Sequence, residues 1–326
     1  MHLSRPLSAV LAAGILSLMA SCSQSDRTLA IATGGPAGLY YPFGGGMASL
    51  WSEALPGVNA KAEVTGGSVT NVIQVARGES DLGIAMADVV TSAYTGTGRF
   101  PEPLPLRVLF TAYPNIVHVL SLRSSGIESI TDLAGKRVAI GAQVAGTAVA
   151  ASNMLNGLGL SLQDIAPRYL SFGETTTGLK DGTLDAGFVV GGLGIAAVTE
   201  LAVTRDIQII SLAEAELAEL TVQHPAYSGY TIPAGTYAGV DEPRQALGIW
   251  SAVVVHEAMP EDLAYALTCS VYKEHQRLLS ISPVVKDMTL DNIHQLAAVP
   301  LHSGTRRYLQ NPTDNCPAPE PAEAAL

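Results

Sequence analysis

A Gly-rich turn between a short apolar strand and a helix occurs twice in this chain, each time opening a strand–helix–strand–helix–strand run. Residues 28–33 read as a buried strand, and Gly34-Gly35-Pro36-Ala37-Gly38 breaks it. Phe43, Met47, Leu50, Trp51 and Ala54 then recur at helical spacing until Pro56-Gly57 stops the helix. A strand over 59–64, a Gly66-Gly67 turn, a helix with Val69, Val72, Ile73 and Ala76 on its buried face, and a strand over 81–86 complete the first run. The second run places a strand at 136–140, a loop at 141–146, a helix at 147–158, a strand at 168–171, a helix at 173–180 and a strand at 185–190. The phrase Gly78-Glu79-Ser80-Asp81-Leu82-Gly83-Ile84 matches Gly182-Thr183-Leu184-Asp185-Ala186-Gly187-Phe188 in spacing. A βαβαβ order calls for parallel strands with helices on their faces. The pattern therefore predicts two similar α/β lobes rather than a repeat array.

Residues 106–110 and 116–122 are strong strand patterns with Tyr113-Pro114-Asn115 between them, and they link the two runs. Residues 246–255 form a further apolar run that returns the chain to the first lobe. Residues 260–279 read as one long amphipathic helix, and 300–310 pack back on the first lobe. The expected organisation is lobe I at 26–116 plus 250–310 and lobe II at 117–249. Each lobe is a mixed, mainly parallel sheet flanked by helices, and two crossings leave a cleft between them.

Composition narrows the function. The 326 residues are ample for two lobes, and 48% hydrophobic content with 14% charged residues excludes disorder for most of the chain. A net charge of −11 with no basic stretch speaks against nucleic-acid binding. No GxGxxG, P-loop or GxSxG pattern is present, since Gly66-Gly67-Ser68-Val69-Thr70 lacks the second Gly. The histidines form no ligand pair and no CxxC occurs, so no metal, cofactor or catalysis is expected.

The N-terminus is an address. A mildly positive head, an apolar stretch over 6–20 and small residues before Cys22 make a secretory signal at 1–21. Leu18-Met19-Ala20-Ser21-Cys22 resembles a bacterial lipobox, which makes Cys22 the expected lipid attachment site and places the protein outside the cytoplasm, on a membrane. Cys269 and Cys316 remain; an oxidising compartment permits a disulfide between them, or both stay free. The Pro-, Ala- and Glu-rich tail at 311–326 is expected to be disordered.

Two Gly-rich turns at helix starts suggest how such a cleft would work. Helix N-termini carry free N–H groups and a positive dipole end, and glycine lets a ligand approach the backbone. In open α/β sheets, ligands sit at the carboxyl ends of strands. A small carboxylate held from both sides would be enclosed as the lobes close.

Thr33-Gly34-Gly35-Pro36-Ala37-Gly38-Leu39-Tyr40-Tyr41-Pro42 resembles the opening of TAXI-type solute-binding proteins of TRAP transporters. Thr65-Gly66-Gly67-Ser68-Val69-Thr70-Asn71, Ile232-Pro233-Ala234-Gly235-Thr236-Tyr237 and Pro300-Leu301-His302-Ser303-Gly304 resemble later motifs of that family, in the same order. The resemblance implies a type II periplasmic binding fold and a monomeric receptor that hands a small organic anion, such as glutamate, glutamine or a related carboxylate, to an ion-driven membrane permease. This chain departs from the family where Pro36-Ala37, Met86-Ala87-Asp88 and Ala145-Gly146-Thr147 stand. Each change removes a side-chain donor or acceptor, which opens the way to a less polar pocket or a different acid.

The residues expected to hold the ligand follow from this reading. Gly35 and Gly38 admit it to the backbone, and Tyr40 stacks on it or donates its hydroxyl. Gly67, Ser68 and Asn71 offer contacts at a helix start, and Asp88 pairs with a ligand ammonium or caps its own helix. Gly146 and Thr147 clamp a carboxylate from the second lobe, and Gly191 leaves room at the same edge. Arg123 and Arg168 read as surface residues, and Glu214, Glu216 and Glu219 as one solvated helix face. The rival readings are a receptor for an ABC importer or sensor kinase, and a secreted hydrolase with a spatial triad.

Overall fold

The computed structural model describes residues 27–313 and 315–319; the expected signal segment, Cys22 and the last tail residues lie outside them. The first run forms β1 (Arg27–Ala32), α1 (Tyr40–Ala54), β2 (Val58–Glu63), α2 (Ser68–Ala76) and β3 (Leu82–Met86), followed by α3 (Ala87–Thr95), which the sequence raised only through the alternative role of Asp88 as a cap. Strand β4 (Leu106–Leu122) leads into the second run: β5 (Arg137–Ala139), α4 (Gly146–Gly157), β6 (Ala166–Arg168), α5 (Phe172–Lys180) and β7 (Ala186–Gly191). Then come α6 (Ala196–Thr204), β8 (Ile207–Ile209), α7 (Glu214–Gln223), β9 (Tyr227–Ile232) and β10 (Arg244–His256). The chain closes with α8 (Glu261–Lys273), α9 (His275–Ile281) and α10 (Ser303–Gln310).

These strands join one sheet in the order β2-β1-β3-β10-β4-β7-β5-β6, with β9 paired to β10 and β8 to β4. β1 lies parallel between β2 and β3, and β5 lies parallel between β6 and β7. An antiparallel strand then flanks each trio, β10 against β3 and β4 against β7. The same layout arises twice because the same pattern occurs twice. Residues 106–116 of β4 pair with β10 and 116–121 pair with β7, while residues 251–255 of β10 pair with β3 and 244–249 with β9. Both long strands therefore run from one half of the sheet into the other, paired to each other.

The structure corrects three details. The break expected at Tyr113-Pro114-Asn115 is absent, and these residues run through β4. Pro114 pairs with Trp250 where the register shifts between Trp250 and Ala252, and a bulge tolerates a residue that has no N–H to give the ladder. The helix expected over 260–279 breaks at Glu274 (φ −96°, ψ 23°). Its second part, α9, turns to pack on α1, where a Cβ on Gly46 would lie only 3.3 Å from Ile281 Cδ1. The strand expected at 168–171 lies earlier, at β6, which frees Leu170 and Ser171 for a loop.

Apolar side chains bury on both faces. Leu29, Ile31, Phe43, Trp51, Phe110 and Leu267 pack together against the first half, and Trp51 Nε1 donates to Leu267 O at 3.1 Å. Ile116, Leu120, Val189, Val198 and Ile207 do the same in the second half. Each such side chain contributes about 1.5–3 kcal/mol. The C-terminal segment returns to the first half: His302 N donates to Val108 O at 2.9 Å and Thr305 Oγ1 to Leu109 O at 2.9 Å. A disulfide joins Cys269, in α8, to Cys316 of the tail. No helix of the described residues is long and apolar enough to cross a membrane.

Candidate ligand-binding cleft

The parallel strands of both halves point their carboxyl ends at one cavity of about 270 Å³. Among the described residues, five helices begin at its wall, for their N-cap residues Leu39, Gly67, Met86, Ala145 and Ser171 all line it. The first three belong to the first βαβαβ run and its following helix, the last two to the second run.

These starts are not equivalent. α5 carries its own anion: Ser171 N donates to Glu174 Oε2 at 2.8 Å, and Ser171 Oγ accepts from Glu174 N, a capping box. α3 carries Asp88 in its first turn, and its N-cap amide, Met86 N, donates to Ser68 Oγ at 3.1 Å. α1, α2 and α4 have no side-chain cap and no acid in the first turn. Their leading N–H groups and positive dipole ends are left for whatever enters the cavity.

Gly35, Gly38, Tyr40, Gly67, Ser68, Gly146, Thr147 and Gly191 all stand on the wall. Gly67 lies at φ +102°, a conformation closed to most other residues, and this turns the chain sharply into α2. Thr147 is only 4% exposed, yet among the described residues its hydroxyl has no hydrogen-bond partner. The glycines also let the two sides touch. A Cβ on Gly146 would lie 2.6 Å from Met86 Sδ and 2.8 Å from Ser68 Oγ, and one on Gly66 would lie 2.5 Å from a Val144 methyl. Gly38 also faces the Phe172 ring, with room for a Cβ at 3.7 Å. The two sides thus come into contact at the rim of the cleft.

Asn71 and Asp88 do not line the cavity. Asn71 is fully buried; its Nδ2 donates to Thr33 O at 2.6 Å and Ile84 O at 2.7 Å, while Oδ1 accepts from Thr65 Oγ1 at 2.6 Å. It ties the end of β1 and the middle of β3 to the turn before α2, so its role is to shape the wall. Asp88 is held from both sides: Oδ2 accepts from Tyr227 Oη at 2.9 Å and Oδ1 from Val89 N at 2.8 Å. Asn153, on α4, donates in turn to Tyr227 Oη at 2.8 Å. The acid thus closes a buried chain from α3 through β9 to α4. Burial pushes its pKa up to about 6, against the lowering effect of the Tyr227 and Val89 hydrogen bonds. Arg123 pairs with Asp206 and Arg168 bonds the Pro167 carbonyl; both are exposed and neither reaches the cavity.

Sequence reasoning missed other parts of the wall. Asn115, on β4, lines it and joins a buried cluster: its Nδ2 bonds Ser251 Oγ at 2.6 Å, and Tyr40 Oη lies 3.0 Å from Ser251 Oγ. Burial pushes the Tyr40 phenol up to about 12, so it stays a neutral donor. Leu170 and Phe172 add apolar surface, and the Ser-x-x-Glu pattern at 171–174 was a signal for that helix start. The turn after Gly191 is held from behind. Gly194 N donates to Tyr237 Oη at 3.0 Å, and Tyr237 Oη lies 2.9 Å from His118 Nε2. His118 Nδ1 lies 3.1 Å from Val189 O, which only accepts; Nδ1 therefore carries the proton and Tyr237 donates to Nε2. Burial holds His118 near pKa 4, hence neutral.

The family model for the NMT1-like family matches residues 31–311, spanning both βαβαβ runs, the crossing strands and α10. The chain belongs to the NMT1-like family. Solved structures share its fold at low identity. MatC from Rhodopseudomonas palustris, with bound malate, superposes with a TM-score of 0.56 at 12% identity, over 83% of this chain and 94% of that one. XAC2383 from Xanthomonas citri, bound to ATP, gives 0.52 at 12%, over 88% and 99%. PhnD1 from Prochlorococcus marinus, in complex with methylphosphonate, gives 0.51 at 11%, over 83% and 98%. The architecture of this NMT1-like chain is the two-lobed type II periplasmic binding protein fold.

Proposed function

We propose that this protein is a non-catalytic extracytoplasmic receptor that captures a small organic anion and delivers it to a TRAP-type, ion-coupled membrane permease. Lobe I (26–116 plus 250–310) and lobe II (117–249) would close on the ligand, and lipid on Cys22 would tether the receptor to the membrane. One observation carries the anion: three uncapped helix starts, α1 and α2 from one run and α4 from the other, meet at a cavity beside the unpartnered Thr147 hydroxyl. The bound malate, ATP and methylphosphonate of the fold's other members, anions all, agree with it. The TRAP assignment rests on the motifs at 33–42, 65–71, 232–237 and 300–304.

A thermal-shift screen of the purified protein against carboxylates, phosphonates and sulfonates tests the receptor reading. A ligand at about 100 times its Kd adds roughly 2.7 kcal/mol to the folded state. No shift with any anion, and nothing released when the protein is denatured, would refute it. Uptake in membrane vesicles separates the transporter classes: transport driven by an imposed ion gradient without ATP supports a TRAP permease, and a strict need for ATP would assign the receptor to an ABC importer.

A further inference from the structure

We infer that the ligand of this cleft is an organic anion with an apolar body and no amino group. The inference rests on the receptor reading above and narrows its substrate class.

An α-amino acid brings an ammonium as well as a carboxylate. A buried ammonium needs a counter-charge or a set of acceptors, because leaving it unpaired in a closed site is costly. Among the described residues, no charged side chain lines this cavity. The sequence offers Asp88 as the counter-charge, two residues beyond the wall residue Met86, but it does not line the cavity and both its oxygens are already engaged. Tyr227 holds Oδ2 and the Val89 amide holds Oδ1, and the residue is only 8% exposed. Asp88 is buried off the wall, and turning its carboxylate into the cavity would pull it away from Tyr227 and Val89.

The second acid near the wall is committed as well. Glu174 accepts from both the backbone and the hydroxyl of Ser171, at 2.8 and 2.7 Å, and itself occupies the N-terminus of α5. Meanwhile the dipoles that reach the cavity present their positive ends. An anion is stabilised there and a cation is repelled, by the same interaction with its sign reversed. A zwitterion would gain at one end and lose at the other.

The rest of the wall favours an apolar body. Leu39, Leu170, Phe172, Val190 and Met86 line it, and Pro36 and Ala37 stand in the first loop. The polar side chains on the wall, those of Thr65, Ser68, Tyr40, Asn115, Thr147 and Ser171, are neutral hydroxyls and one amide. This is the usual make-up of a small-molecule site: a mainly apolar wall with a few polar groups.

Matched acids decide the matter. Calorimetry on the purified protein, stripped of bound ligand by unfolding and refolding, would compare 2-oxo, 2-hydroxy and 2-amino acids on the same skeletons: branched five- and six-carbon chains, an aromatic chain and a five-carbon dicarboxylate. Mass spectrometry of whatever the native protein releases on denaturation would accompany it. The expected result is that every skeleton that binds does so at least tenfold more tightly as the oxo or hydroxy acid, and that any released molecule lacks a primary amine. An amino acid that binds more tightly than its oxo and hydroxy counterparts, or an amine among the released molecules, overturns this inference and leaves the receptor reading standing. Absence of binding by every acid, with no released molecule, overturns both.

Discussion

Gly146 is the position where one missing atom does the most. It begins α4, faces α2 across the cavity and has no positive φ to protect, so alanine suits its backbone and favours the helix by up to about 1 kcal/mol. The new Cβ would nonetheless meet Met86 Sδ and Ser68 Oγ at 2.6 and 2.8 Å. The clash offsets the helix gain, so Gly146→Ala should change the ligand-free melting temperature little while affinity falls tenfold or more, about 1.4 kcal/mol. Paired melting and calorimetry would show it; unchanged affinity would mean that the two helix starts need not approach. Asp88 gives a second residue-scale test. A carboxyl held at about 6 rather than 3.8 binds its proton more tightly in the fold than in the unfolded chain, by at most about 3 kcal/mol. Between about pH 4 and 6 the folded state keeps a proton that the unfolded chain has lost, so this contribution to stability falls as pH rises and is gone above about 6. Asp88→Asn keeps an acceptor for Tyr227 and removes the titration. The stability difference, variant minus wild type, should climb through that window and then level off; a flat difference in denaturant melts at pH 4, 5, 6 and 7.5 would refute the assignment.

At the scale of elements, an uncapped helix start is a vacancy for charge. Thr147→Asp would supply α4 with its own anion in the first turn, where an acid is favourable. The expected outcome is loss of anion binding by more than about a hundredfold, with a melting temperature unchanged or higher; retained binding in calorimetry would remove α4 from the site. Tyr237→Phe would leave Gly194 N and His118 Nε2 without their partner and should destabilise the protein by about 1–3 kcal/mol. The elements also mark what could be read in advance. Glycine turns, apolar periodicity and the twin Gly-x-x-Asp phrases announced both βαβαβ runs, because each is a local signal. Pro114 misled, since a proline between two apolar runs reads as a turn; only pairing with β10 and its bulge makes it part of a strand. The break at Glu274 left no trace at all, for it depends on the shape of α1 far away in sequence. In the cleft, the glycines and Thr147 were legible from helix-start chemistry. Asn71 and Asp88 have the same chemistry, and only three-dimensional pairing with Thr65 and Tyr227 shows that theirs is already spent.

The whole molecule is fastened at its C-terminal end by the bond between Cys269 and Cys316. It closes a separation of 47 residues, for which loop entropy gives about 4 kcal/mol. Replacing both cysteines with alanine should lower the denaturant midpoint by an amount within that ceiling. Neither residue lines the cleft, so the same variant should bind ligand as the wild type does; weaker binding would mean that the tail reaches further than its anchor. The crossing strands carry a different consequence. β4 and β10 connect the halves of the sheet and are hydrogen-bonded to each other as they do so. The joint is thus a spine with width, stiff against shear and swivel, and it yields most easily by flexing about one line. Under the proposed closure, an apparatus that recognises the filled receptor would have a single outline to learn, in place of a family of half-shut shapes.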